Sequence, residues 1–387
     1  MADNKIFSIG KGRAIGLMSG TSMDGVDAAY IVTDGLSIQE FGPSLTLPYK
    51  ADFRERLRNF LESDDDRSNS TITKKLEADL TMVHADAVRQ LYSAMGLSCS
   101  EAAQAIDIIG FHGHTILHCP QDMLTWQLGD GAKLASVLRI PVVNEFRSQD
   151  VNAGGQGAPL APIFHMALVA KRVDAIAILN IGGIANVTWC SGQADIPNGT
   201  DSSNLREHLL GFDVGPGNAL IDDWIYAHTG KPMDRDGRIA KLGRPDKKTL
   251  QAMLEHPYFL LEPPKSLDRY DFTLDAVRHL SLEDGAATLT AFTAACVSLA
   301  SKYFPSNPRL WLVTGGGRRN AALFGWLSHY LEAPVHAIEH EGWDGDALEA
   351  QAFGYLAVRA FKKLPITFPS TTHVSVPLSG GSIHYPN

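Results

Sequence analysis

Ala14-Ile15-Gly16-Leu17-Met18-Ser19-Gly20-Thr21-Ser22-Met23-Asp24-Gly25-Val26-Asp27-Ala28-Ala29-Tyr30 joins two apolar runs through a turn. The first run, Ala14 to Met18, has strand length. Ser19, Gly20, Thr21, Ser22, Asp24 and Gly25 then gather small and polar residues around Met23, and Val26 to Val32 resumes with β-branched residues and a tyrosine. Apolar run, Gly-rich turn, apolar run predicts a hairpin in preference to a strand, loop and helix. Glycines at 20 and 25 let the backbone come close to a ligand, and successive N–H groups make a concavity for anions. Thr21 and Ser22 add hydroxyl donors, and Asp24 sets a carboxylate at the tip, where a hydrated Mg²⁺ would sit. A Walker loop needs a Lys after its last Gly and then a helix, and neither is present. Most Gly-rich turns are only turns; this one, with hydroxyls and an acid between strands, points to phosphate.

Working outward, 387 residues are too many for one ordinary core and predict two domains of roughly 150 to 200 residues each. A hydrophobic content of 44% with 20% charged residues describes a soluble globular chain. The net charge of -9 argues against a nucleic-acid partner. Met-Ala-Asp-Asn-Lys at the N-terminus lacks the layout of a signal peptide, and no apolar stretch reaches membrane-spanning length. Cys99, Cys119, Cys190 and Cys296 form no CxxC pair, which fits reduced usage in the cytoplasm. The expected setting is therefore cytoplasmic, without membrane or nucleic acid.

Along the chain, Leu45 to Lys50 reads as a strand and Asp52 to Met95 as helical, with an Asp-rich loop at Asp64 to Asp66. Leu76, Leu80, Val83, Ala87 and Leu91 make an apolar stripe at helical spacing. Ile106 to Phe111 and Leu124 to Leu128 read as strands, Lys133 to Leu138 as a helix and Pro141 to Val143 as a strand. This alternation predicts an α/β fold. His112 and His114 fall on one side of an extended segment, a spacing zinc uses. With no acid in the motif and no second cluster, they read instead as hydrogen-bonding groups of a cleft.

Asn144 to Pro162 carries three glycines and two prolines and predicts no regular element. It reads equally as an interdomain connection and, through Arg147, Asp150 and the Gly154-Gly155 pair, as a loop closing on a sugar. Ala175 to Cys190 repeats the opening device: strand, a turn at Asn180-Ile-Gly182-Gly183-Ile-Ala-Asn186, and strand. Two such units in two halves suggest an internal duplication, both turns facing one nucleotide. A third element, Trp311 to Asn320, ends a strand in Gly315-Gly316-Gly317 before a helix-like segment, Ala321 to Tyr330, so an adenosine can lie against bare backbone. Asp213, before Val214-Gly-Pro-Gly-Asn218, reads as a turn former or as a base held at a strand end. Asp234-Arg-Asp-Gly237 reads as a solvated turn. Lys265 reads as a surface lysine or a cation for the cleft, and Glu349 as a helix-start acid.

The motifs at 18–27, 150–160, 180–186 and 211–218 together resemble those of anhydro-N-acetylmuramic acid kinases. The likeness extends through Gly315-Gly316-Gly317 and Glu349-Ala-Gln-Ala-Phe353 and covers nearly the whole chain. It departs where members often carry Lys-Ser-Thr-Gly-Arg and this chain has Lys265-Ser-Leu-Asp-Arg269, and where Ser148 replaces a basic residue. The resemblance implies a two-domain actin/sugar-kinase/heat-shock-ATPase-like fold with ATP in the interdomain cleft, the units being 1–174 plus 350–387, and 175–349. It implies that ATP and water convert 1,6-anhydro-N-acetylmuramic acid to its 6-phosphate in cell-wall amino-sugar recycling. Ser19, Gly20, Thr21, Ser22, Met23, Asp24, Gly25, Val26 and Asp27 would hold the nucleotide, with Asn180, Gly182, Gly183, Gly315, Gly316, Gly317 and Asn320. Asp24 would also serve Mg²⁺. His112, Arg147, Asp150, Gly154 and Gly155 would meet the sugar, Asp213 would be the base and Glu349 the second acid. A homodimer is left open.

Two rivals of other classes remain on the residues alone. A regulatory ATPase would share the nucleotide turns without needing the 144–162 loop, and a glycosidase would need two bracketing carboxylates and no ATP.

Overall fold

A computed structural model describes residues 10–20, 23–192, 195–198 and 204–387. The first sheet is laid down by β1 (Gly12–Ser19), β2 (Gly25–Thr33), β3 (Ile38–Pro48), β4 (Ile108–Cys119), β5 (Leu124–Leu128) and β6 (Val142–Asn144). The second takes β7 (Ile176–Ile181), β8 (Ile184–Cys190), β9 (Leu209–Pro216), β10 (Leu310–Thr314) and β11 (Val335–Ala337). The chain then returns to the first with β12 (Ser382–His384). The orders are β12-β6-β4-β1-β2-β3, with β5 on β4, and β11-β10-β7-β8-β9. Both sheets are mixed: an antiparallel hairpin, β1–β2 or β7–β8, sits beside a parallel neighbour, β4 or β10. The two predicted hairpins are therefore equivalent elements of two similar sheets.

The expected helical region separates into Ala51–Glu62, Asp64–Ser68 and Ser70–Ala94. The Asp-rich segment expected as a loop is the short middle helix. In the long helix Leu76, Leu80, Ala87 and Leu91 are buried as the stripe predicts, whereas Val83 is only half-buried and His84 takes the inner face. Asn69 caps it by accepting from Thr71 and Ile72 N–H, satisfying donors that the first turn leaves over.

The helix Leu348–Phe361 lies on the first sheet and draws it tight. A Cβ on Gly16 would sit 1.7 Å from the Ala350 carbonyl oxygen, so only glycine permits that approach. Arg359 on this helix is fully buried and donates to backbone carbonyls, those of Pro365 (2.7 Å), Gly35 (2.6 Å) and Pro197 (2.7 Å). One apolar core runs from Ala14 and Val143 through Phe164 and Tyr355 to Ile178 and Leu312, joining the faces of both sheets. Each large apolar side chain buried there contributes about 1.5–3 kcal/mol.

Candidate active site

The first turn is tightly tethered. Met23 N–H donates to the Gly20 carbonyl (3.1 Å) with Met23 at φ 54°, and Tyr49 N–H donates to the Asp24 carbonyl (3.0 Å). Ser19 is buried, its Oγ 2.6 Å from the Tyr49 hydroxyl and 2.9 Å from His114 Nδ1. That hydroxyl is directed into the protein, away from the anion role expected of the turn's hydroxyls. Thr21 and Ser22 lie outside the described residues. Gly25 and Val26 begin β2, and Val26 is core. Asp24 is exposed at the tip. Asp27 accepts from Thr46 Oγ1 (2.5 Å), and its carboxyl is pushed up to about 6, by burial first and then by the nearby charges of Asp24, Asp346 and Asp344.

The second and third turns are neighbours because Asn180 pairs with Thr314 in the parallel β7–β10 ladder. The carbonyls of Gly182 and Gly183 accept from Asn218 (2.8 Å) and Gly217 (2.9 Å), which fixes the turn on the start of the helix Ala219–Thr229. Gly315 is left-handed at φ 73°, and a Cβ there would meet Asn180 Oδ1 at 2.4 Å. Gly317 is buried against Ile181, while a Cβ on the exposed Gly316 would meet Asn218 Nδ2 at 3.7 Å. Asn320 caps the helix Ala321–Tyr330, accepting from Ala322 and Leu323 N–H (3.1 Å each), so its carbonyl already has partners.

Asp213 lies inside β9, not at its end as expected. The β8–β9 register slips between Ala185 and Asn186, leaving Val214 without an opposite residue, and such a bulge re-aims the side chain beside it. Asp213 Oδ2 accepts from Leu267 N–H (2.9 Å), its carbonyl accepts from Tyr258 O–H (2.6 Å), and its N–H donates to the Lys265 carbonyl (3.0 Å). Burial pushes its carboxyl up to about 7, against the pull of the Leu267 N–H and the Arg147 charge. Deep burial with one hydrogen bond and a cation nearby leaves this carboxyl able to take up or release a proton near neutrality.

Arg147 links the acids. Its Nε and Nη2 donate to His112 Nε2 (3.1 and 3.0 Å), and Nη1 donates to the Gly157 carbonyl (2.7 Å). His112 Nδ1–H donates to the Gly113 carbonyl (3.0 Å), so Nε2 is left as acceptor and the ring is neutral; burial and then Arg147 hold its pKa well below the usual range. The Arg147 charge is felt by Glu349, Asp213 and Asp150 together. Glu349 is exposed at the first turn of the helix Leu348–Phe361; it accepts from Asn180 Nδ2 (3.2 Å), a bond joining the second sheet to the helix that covers the first. Crowding and then Asp27 raise its pKa, and Arg147 and Asn180 oppose. Asp150 is buried with both oxygens engaged, by Gly157 N–H (2.6 Å) and Thr372 O–H (2.6 Å), so it shapes the loop. Gly155 packs against it, whereas Gly154 faces open space. The loop expected to have no regular element contains one helical turn and a half, Ser148–Asn152.

His112 and His114 do not converge. Gly113 at φ 75° breaks the strand alternation, so one ring meets Arg147 and Phe353 while the other meets Ser19. Among the described residues no group of three or more His, Cys, Asp or Glu is placed to hold a metal.

The sequence model of anhydro-N-acetylmuramic acid kinase matches residues 12–386. The chain belongs to that family. It is 50% identical over 376 residues to the anhydro-N-acetylmuramic acid kinase of Paramagnetospirillum magneticum, covering 96% of this chain and 99% of that one. With the kinase of Rhodospirillum rubrum it shares 48% over 369 residues, covering 95% and 93%. Among solved structures, it is also similar to a ROK family glucokinase from Streptomyces griseus, at 16% identity and a TM-score of 0.38, covering 89% of this chain and 99% of that one.

Tyr49 and Tyr258 escaped the sequence reading, and Lys265 and Asp234 are more buried than it expected. Tyr49 lies within the segment read as a strand, and nothing local marks it as the partner of Ser19 and Asp24. Tyr258 holds the Asp213 carbonyl from 45 positions away. Lys265 is buried, donating to the Tyr258 carbonyl (3.0 Å) with its ammonium over the Tyr258 ring, and burial pulls its pKa down to about 8. Asp234, read as a solvated turn, is buried and accepts from Ile239 and Ala240 N–H (2.9 Å each). Only the Pro263-Pro264 pair before Lys265 offered a signal, a rigid approach to a fixed point.

Proposed function

We propose that this chain is an ATP-dependent kinase that opens 1,6-anhydro-N-acetylmuramic acid with water and phosphorylates it at O6. The cleft lies between residues 1–174 plus 350–387 and residues 175–349. One observation carries the mechanism: Asp213 is a carboxylate buried beside the bulge of β9, held by a single N–H from Leu267 and within reach of the Arg147 charge that Glu349 also feels.

O6 of the anhydro sugar is bonded to C1 and is no free nucleophile. Water attacks C1, its proton passes to Asp213, and the C1–O6 bond breaks with its electron pair left on O6. O6 attacks the γ-phosphorus as the bond to ADP opens, so the sugar keeps a hydroxyl at C1 and a phosphate at O6. A positioned base of this kind contributes about 100- to 10,000-fold. Glu349 and Arg147 orient the water and balance charge as C1 opens. The turn at 19–27 and the glycines at 182–183 support the phosphates, and the turn at 315–317 supports the adenosine; phosphoryl transfer depends mainly on such positioning.

Mg²⁺ commonly takes one or two carboxylates and completes its shell with water and phosphate oxygens. An exposed Asp24 beside Asp27 fits that donor set. Bound there, the ion would neutralise phosphate charge. The family setting supports a cytoplasmic enzyme, and no helix among the described residues is long and apolar enough to cross a membrane.

The test is to incubate the protein with anhydro sugar and ATP and to score ADP, sugar phosphate and free sugar. ADP and sugar phosphate in equal amounts are expected. Free sugar without ADP would point to a glycosidase, and ADP without sugar phosphate to a regulatory ATPase.

A further inference from the structure

The Asp213 carboxylate is oriented by a segment that is itself tied to the loop carrying Arg147. Asp213 N–H donates to the Lys265 carbonyl (3.0 Å), and Leu267 N–H donates to Asp213 Oδ2 (2.9 Å), so the residue between these two grips is Ser266. The same segment is anchored to β9 once more. Lys265 Nζ donates to the Tyr258 carbonyl (3.0 Å), and Tyr258 O–H donates to the Asp213 carbonyl (2.6 Å). The side chain of Ser266 reaches a different element: its Oγ–H donates to Gln156 Oε1 (2.7 Å), 110 positions back along the chain.

Gln156 has a fixed place in that loop. Its N–H donates to the Thr372 carbonyl (2.6 Å), and Thr372 O–H donates to Asp150 Oδ2 (2.6 Å). The next residue, Gly157, donates its N–H to Asp150 Oδ1 (2.6 Å) and accepts from Arg147 Nη1 at its carbonyl (2.7 Å). One run of contacts therefore leads from Arg147 through Gly157, Gln156, Ser266 and Leu267 to the Asp213 carboxylate. Ser266 and Gln156 are both half-buried, where a hydrogen bond is stronger than in open water and holds a geometry better. The geometry matters because the Arg147 charge acts on Asp213, and its distance sets how far it favours the ionised carboxylate.

We infer that Ser266 and Gln156 are positioning residues whose hydrogen bond fixes the Asp213 carboxylate against the Arg147 loop, acting through Leu267 N–H. This rests on the reading of Asp213 as the base. Neither residue takes or gives a proton in the reaction. Without their bond, Leu267 N–H and Arg147 both drift from the carboxylate, which aligns water less well and makes the carboxyl harder to ionise. The groups facing Asp213 are Leu267 N–H, Arg147 and Tyr258. His112 beside Arg147 and His118 beside Gly157 stay neutral near pH 7, by burial first and then by the Arg147 charge. Glu349 feels Arg147 from the Asn180 side and is untouched by changes at 156 and 266, so a difference from wild type isolates Asp213. Lys265 titrates at about 8, so the difference is read below that pH.

The experiment measures single-turnover formation of the sugar phosphate at saturating ATP, over a range of anhydro-sugar concentrations, from about pH 6 to about pH 7.5. The variants are Ser266→Ala, Gln156→Ala, the two combined, Ser266→Thr and Asp213→Asn, each with a thermal melt. Each alanine variant should lower the saturating rate about three- to tenfold, the scale of one hydrogen bond. The sugar concentration at half-saturation should stay within about twofold. The combined variant should lose no more than the larger single loss, because both changes remove the same bond. The loss should be greater at about pH 6 than at about pH 7.5, since a carboxyl that is harder to ionise needs a higher pH. Ser266→Thr keeps the hydroxyl and should recover most of the rate; if it does not fold, the alanine variants decide alone. Wild-type rates in both alanine variants, while Asp213→Asn loses turnover, overturn the positioning role and spare the base. Turnover kept by Asp213→Asn overturns the base and the positioning role with it. A raised half-saturation with an unchanged saturating rate makes Ser266 and Gln156 sugar contacts and overturns the inference. Losses that multiply in the combined variant, or that are flat with pH, reduce the pair to separate packing residues and also overturn it.

Discussion

Asp213→Asn should cost this enzyme its turnover and make it more stable, increasingly so as the pH rises. The buried carboxyl has its pKa raised from 3.8 to about 7, with burial the main cause. In the unfolded chain it ionises near its ordinary value, so folding takes up a proton between the two. The sign follows: the group's contribution is intact below the unfolded value and is lost as the pH climbs toward about 7. At about 1.4 kcal/mol per pH unit, the ionised carboxylate costs about 4 kcal/mol above that range. The amide of Asn escapes this cost and still accepts from Leu267 N–H, but its new N–H₂ group needs partners, which returns about 1–3 kcal/mol. The stability difference, variant minus wild type, should widen by about 2–3 kcal/mol between about pH 5 and about pH 8. Urea unfolding at both pH values reads it directly. Single-turnover formation of the sugar phosphate should fall by about two to four powers of ten. Wild-type activity should itself rise as the pH climbs through about 7. A stability difference that is flat with pH, with turnover kept within a few-fold, would refute the assignment of the base.

Asp24→Asn should raise the Mg²⁺ concentration needed for half-maximal turnover; an unchanged metal titration would remove Asp24 from the metal site. Arg147→Lys keeps the charge but cannot serve both His112 and the Gly157 carbonyl, so kcat should fall about tenfold or more, with wild-type kcat as the contrary result. Arg359→Met leaves the carbonyls of Gly35, Pro197 and Pro365 without their donor and should destabilise the fold by about 3 kcal/mol or more; an unchanged urea midpoint would contradict this.

The hairpins were legible in the sequence because their signals are local. Apolar runs on either side of Gly20 and of Gly182-Gly183 can be read within a dozen residues, and both runs pair as expected. The family could be read too, because several motifs recur in one order. What stayed hidden was whatever depends on distant parts of the chain. Ser19 looks like a phosphate donor until Tyr49 and His114, 30 and 95 positions on, are seen to hold it. Asp150 reads as a sugar contact, and only the fold shows that Thr372, 222 positions on, donates to its carboxylate. Alternation alone placed His112 beside His114, and the left-handed Gly113 between them undid it. Lys265 read as a surface lysine or a cation for the cleft, and nothing local announces the Tyr258 ring beneath it. Contact over such separations is set by the packing of the two sheets, which no short window contains.

The central claim is that water opens the sugar at C1 while O6 receives the phosphoryl group. The direct measurement is turnover of anhydro sugar and ATP in heavy-oxygen water, followed by mass analysis of the sugar phosphate before its C1 hydroxyl exchanges with solvent. One heavy oxygen at C1 and none in the phosphate is the predicted result, with one ADP formed for each sugar phosphate. A heavy oxygen in the phosphate, or an unlabelled C1, would contradict it.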